Sequence, residues 1–200
     1  ALAYSEVVKQ IDAEDMAEIL PEKFENMMPE TVSLLTTDAI EGFTGEQVAV
    51  MDVDFFSSMD EEQVAAINPE VISEIGVEVI AELDATAADV ITGEQLKSFT
   101  EDQAGALSED FLTGITEDQA EGVTAEFMAG IGDDLGSLSD DVIGNLSDDT
   151  VEGLTSDIAE VMTNDQLIAL ADAGLTSSLS DSFTSVLTDN ELDILGLDSN

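Results

Sequence analysis

An apolar residue returns every eight positions along this chain: Ile11, Ile19, Met27, Leu35, Phe43, Met51, Met59, Ile67, Ile75, Leu83, Ile91, Phe99, Leu107, Ile115, Val123 and Ile131. One residue is then dropped and the register resumes at Leu138, Leu146, Leu154, Met162 and Leu170. One is gained, and it continues at Leu179, Leu187 and Leu195. A period of eight excludes most ways of folding. A continuous α-helix turns about 100° per residue, so eight residues leave a remainder of roughly 80° and the apolar stripe would circle the helix. Lettering the octad a to h from the apolar residue, the second apolar position is f, five residues on. That odd spacing would send a and f to opposite faces of a strand. From e or f to the next a, however, is four or three residues, the spacing of helical neighbours. The octad is a very short helix that starts again each time.

The start signals agree. Position b is Thr, Ser, Asp or Asn in most octads, including Thr36, Thr44, Asp52, Asp60, Asn68, Asp84, Thr92, Thr100, Ser108, Thr116, Thr124, Ser139, Ser147 and Thr163. These side chains accept an otherwise unpaired N–H at a helix start. Gln47, Gln95, Gln103, Gln119 and Gln166 at position e complete capping boxes with Thr44, Thr92, Thr100, Thr116 and Thr163. Position d is acidic almost throughout, which suits the positive end of a helix. Pro21, Pro29 and Pro69 all fall at c, the first helical residue. Gly42, Gly114, Gly122, Gly130 and Gly153 fall at h, where a left-handed turn is expected to end each helix.

Helices this short are unstable alone and need neighbours to bury their a, e and f side chains. The sequence therefore predicts an all-α solenoid of very short helices, each unit packed on the adjacent ones. Position e alternates polar and bulky, as Gln47, Phe55, Gln63, Val71 and again Gln103, Phe111, Gln119, Phe127. This points to two helices per sixteen-residue coil, although the alternation breaks at Val79, Ala87 and Gln95. Residues 1–34 keep the period but lose good caps at Leu20 and Met28, as a terminal cap or junction would. Residues 35–170 form the regular array. Residues 171–200 are read as C-terminal octads continuing into, or touching, further repeats.

The pattern of residues 35–170 resembles the Leu-Thr-x-x-Gln-hydrophobic-x-x octapeptide arrays of large bacterial surface and secreted proteins. It departs from them in its Asp and Asn caps and its more acidic d position. The resemblance implies an extracellular structural or adhesive role and supplies no site residues.

Composition narrows the partners. Asp and Glu number 47 against three basic residues, for a formal net charge of −44, while hydrophobic content stays at 44%. That is too apolar for a charge-driven disordered tail. Nucleic acid is excluded, since binding it needs basic residues to displace counterions from phosphates. Anionic membrane surfaces are excluded likewise, and no apolar run approaches the eighteen residues a span requires. The chain begins at Ala1 without Met, which reads as processing or excision from something longer. With no Cys or His, Ser–His and Cys–His catalysis is impossible, and the expectation is that the chain is not an enzyme and holds no cofactor. Calcium is the one ion to weigh. "MDVDFFSSMDEE" departs from an EF-hand at Phe56 and Ser57, where a ligand and the turn glycine belong. The doublets Asp133–Asp134, Asp140–Asp141 and Asp148–Asp149 in adjacent octads are candidate metal ligands, against the plainer reading of solvated helix-start acids and weak, diffuse cation condensation.

The expected function is that of a non-catalytic extracellular structural repeat protein: spacer, scaffold, surface-layer, adhesin or filament subunit. It would stack end to end or bind other surface proteins, secreted from or displayed on a bacterial or archaeal cell. Two other readings stay open, a calcium- or mineral-binding matrix protein and an interaction module in the cytoplasm of a salt-loving cell.

Overall fold

Each octad folds as the short helix that its cap and its last apolar residue delimit. In the computed structural model, which describes residues 3–198, the stretch from 99 to 131 is four separate helices. They are Glu101–Ala106, Glu109–Gly114, the 3-10 helix Glu117–Gly122, and Ala125–Ile131. Between them Leu107 and Ile115 are extended, with ψ of 141° and 133°, so the chain turns a corner at each a residue. No strand occurs among the described residues, and the longest helix is nine residues. The caps stand as the sequence predicts: Thr100 Oγ1 accepts from Gln103 N–H at 3.1 Å, and Asp52 Oδ1 from Phe55 N–H at 2.9 Å. Pro21, Pro29 and Pro69 each open a helix.

The helices stack in three rows, each helix on the one three octads earlier. One row runs Ala13–Ala17, Thr37–Glu41, Glu61–Ala65, Ala85–Val90, Glu109–Gly114. The second runs Pro21–Lys23, Gly45–Val48, Pro69–Ile72, Gly93–Lys97, Glu117–Gly122, Asp140–Gly144, Asn164–Asp172, Asp189–Ile194. The third includes Pro29–Val32, Val53–Ser57, Val77–Ala81, Glu101–Ala106, Ala125–Ile131 and Asp148–Glu152. The coil therefore holds three helices and 24 residues, which corrects the sixteen-residue coil expected from position e. Alternation at e does not count the sides of the coil. It staggers amide and bulky side chains up a row, as where Phe127 follows Gln103 one coil later.

The a and f side chains meet inside as one continuous core, with Phe43, Phe99, Leu112, Ile115, Met128 and Leu138 among its buried members. The glycines at h also need correction. Gly42 and Gly153 have ordinary helical φ, and positive φ among the described residues is confined to Gly132, Gly174 and Gly196. The h glycines serve close approach instead. A Cβ on Gly122 would collide with the carbonyl of Gly93, and one on Gly130 with that of Glu101. Both partners lie 29 residues earlier, at position c of the coil below.

Two register slips are built differently from the rest. Where one residue is dropped, Ile131 stays inside its helix, Gly132 turns with φ 49°, and a 3-10 helix Gly132–Ser137 follows. Near the gained residue, Asn164–Asp172 runs straight through Leu170, so that octad boundary is fused; Gly174, with φ 74°, ends it.

Candidate functional site

Position e carries the chemistry that ties coil to coil. In a capping box the e side chain accepts the N–H of its own cap residue, a task Glu performs as well as Gln. In a chain so rich in Glu, six buried e positions nevertheless carry Gln, at 47, 63, 95, 103, 119 and 166. The reason is the second half of the amide. Gln103 Oε1 accepts from Thr100 N–H at 3.1 Å, while its Nε2 donates to the carbonyls of Ile72 and Ile75 at 2.7 and 2.9 Å. Gln47 reaches Met16 and Ile19, Gln63 reaches Val32 and Leu35, and Gln95 reaches Val64 and Ile67. Gln119 reaches Ala88 and Ile91, and Gln166 reaches Leu135 and Leu138. In every case the acceptors are 31 and 28 residues earlier, the f and a carbonyls at a helix end one coil below. Most of the f carbonyls also accept an N–H of their own last turn, as Ile72 O does from Ile75 N–H at 3.1 Å. The amide is a second donor to them, so one amide ties the start of its own helix to the end of another. Among the described residues no buried side-chain nitrogen or oxygen lacks a partner. The capping pattern in the sequence accounts for half of each amide. The preference for Gln over Glu at the inner octads was the signal for the rest, whereas the partly exposed terminal box of Thr188 uses Glu191.

Thr116 departs from the pattern. Its N–H meets Gln119 Oε1 at 2.8 Å, but its hydroxyl turns to the same oxygen at 3.3 Å. Gln119 N–H goes to the backbone carbonyl of Thr116 at 3.0 Å, and the helix that follows is 3-10. A small donor takes the amide's place in some octads: Thr150 Oγ1 donates to Val123 O at 3.1 Å and Ser108 Oγ to Leu83 O at 2.9 Å.

The acids line the outside. Glu46, Glu70, Glu94, Asp118, Asp141 and Asp165 at position d of the second row are all exposed, each near a helix start where negative charge is favoured. Asp38, Glu62 and Asp110, and Asp54, Glu78, Asp102 and Glu126, repeat this up the other two rows. The candidate metal ligands are split by the three-helix coil. Asp133 and Asp134 begin a helix of the first row, Asp140 and Asp141 one of the second, Asp148 and Asp149 one of the third. All six are exposed, and Asp148 Oδ1 accepts from Ser178 Oγ at 3.2 Å. Adjacent octads face different sides, so the structure does not bring the doublets together; among the described residues no three acidic side chains converge on one point. No helix of the described residues is long and apolar enough to cross a membrane.

The chain matches no known protein family, and a search of curated proteins likewise finds no match.

Proposed function

We propose that this chain is a non-catalytic spacer or scaffold working outside the cell, as part of a surface layer, adhesin or filament. The observation that carries the reading is the glutamine ladder, which locks a coil to the one before it by buried hydrogen bonds and leaves the outer faces to solvated acids. Such a stack keeps its length under load and repels its neighbours sideways. An accessible surface of 10197 Å², against about 9,000 Å² for a compact chain of this mass, favours an elongated body. The extracellular placement rests on the resemblance of the octads to bacterial surface arrays. Small-angle scattering tests the shape: about eight coils spaced roughly 9 Å apart give a rod with a radius of gyration above about 20 Å. A value near 16 Å, that of a compact 200-residue domain, would remove the spacer reading.

A second reading, a cation-binding matrix, is favoured by the rows of d-position acids. Salt screens repulsion beyond about 8–10 Å, while divalent ions also bridge closer neighbours. Millimolar calcium should then raise the melting temperature more than sodium chloride of equal ionic strength, and it should lengthen any end-to-end assemblies. Identical melting curves would leave the plain spacer.

A further inference from the structure

One coil departs from the dense packing of the rest, and it does so at the place where position e loses its large side chains. Val79 and Ala87 stand where Phe55, Phe111 and Phe127 stand elsewhere. A cleft of about 530 Å³, roughly half open to solvent, lies here, within the size of small-molecule sites, about 300–1,000 Å³. Its walls include Met59, Ile67, Ile72, Ile75, Ile80 and Phe99. Above it Val77–Ala81 makes few contacts with Val53–Ser57. Position h explains the gap. By the 29-residue register that sets Gly122 on Gly93, Glu82 stands opposite Val53 and Val90 opposite Glu61, and these larger pairs prop the coils apart. All four residues line the opening.

Water is a poor occupant. A buried water needs two to four polar partners, and the polar group on the inner wall, Gln95, is spent: Oε1 accepts from Thr92 N–H and Nε2 donates to Val64 O and Ile67 O. Polarity returns only at the exposed rim, with Asp60, Glu61, Glu82 and Asp84, and no basic residue lines the cavity. A ligand with a carboxylate or phosphate head is repelled there, and one with an internal polar group would lose hydrogen bonds inside. We propose that this cavity binds a cationic amphiphile, its hydrocarbon tail among the isoleucines and its ammonium head at the Asp60–Glu61–Glu82–Asp84 rim. The site is independent of the spacer role, which needs only the stack.

Calorimetry with decyltrimethylammonium, below its micelle concentration and in 0.5 M sodium chloride to screen the general charge, tests this. The expected result is saturable one-to-one binding with a negative heat-capacity change, at least tenfold weaker binding of decanoate, and no saturation by tetramethylammonium. Ala87→Phe, which restores the residue type of neighbouring octads, should abolish binding. Glu61→Gln with Glu82→Gln should narrow the difference between decyltrimethylammonium and decanoate. Methyl resonances of Ile72, Ile75 and Ile80 in the unsubstituted protein should shift on binding and need no variant to fold. Binding that vanishes in 0.5 M salt, that leaves these methyls unmoved, or that survives in folded Ala87→Phe would overturn the proposal.

Discussion

The coils spanning residues 85–131 and those spanning 53–90 are written in the same octads and packed to different densities. In the first, Gly114, Gly122 and Gly130 occupy three successive h positions, so one whole coil lies flush on the backbone of the one before. Gln119 clamps it to Ala88 and Ile91, and Phe111 and Phe127 fill it. In the second, Ser58, Ala66, Glu74, Glu82 and Val90 fill the h positions, and a half-open cleft is left beside the core. The apolar period is equally good in both, although Val77–Ala81 in the second starts at Gly76 with no side-chain cap. Density is set by two positions that neither the period nor the cap controls, e for volume and h for approach.

Truncations should break the comparison most visibly. Phe127→Ala is expected to cost about 3–5 kcal/mol and Ile115→Ala about 2–5 kcal/mol in denaturant unfolding. Ile75→Ala, beside space that already exists, should fall near or below the lower end of that range. Equal losses in the two regions would show that the cavity closes in solution. Next comes the clamp. Gln119→Leu strands the carbonyls of Ala88 and Ile91, at about 1–3 kcal/mol for each buried group left unpaired. Gln119→Glu keeps the cap acceptor but loses both donors, so it should be no milder; a silent Gln119→Glu would mean that the amide matters only as a cap.

Approach distance is tested by Gly130→Val, expected to destabilise by about 1–3 kcal/mol through overpacking. Glu82→Ala in the propped coil should stay within about 0.5 kcal/mol, and equal costs would undo the role assigned to h. The smallest effect separates two caps. Thr100→Ala should cost about 0.5–2 kcal/mol, and Thr116→Ala less, because the Thr116 hydroxyl does not reach Gln119 N–H. A reversed order in thermal melts would return Thr116 to the common pattern.

Much of this fold was legible in the sequence because local rules act within one octad. Thr92, Asp84 and Pro69 announce helix starts by chemistry that needs no distant partner. The number of octads per coil was not legible, since it depends on the angle turned at residues such as Leu107 and Ile115, which no residue type encodes alone. The h glycines invited a turn reading because a helix end and a close approach select the same residue. The interruption at Val79, Ala87 and Gln95 was visible as a broken alternation, but its meaning as missing volume required knowing which side chains face one another. The placement of the acidic doublets was hidden for the same reason, as neighbours in sequence that the triangular coil points apart.

Every glutamine of the ladder reaches backward, to carbonyls 28 and 31 residues earlier. A chain threaded amino end first through a pore or off a ribosome therefore has the acceptors for each amide already in place when that amide appears. The unfinished edge shows carbonyls, which water satisfies, and no stranded amide. The same molecule delivered carboxyl end first would expose bare Gln side chains at every stage. The ladder gives assembly a direction, like a zip whose teeth close only toward the slider.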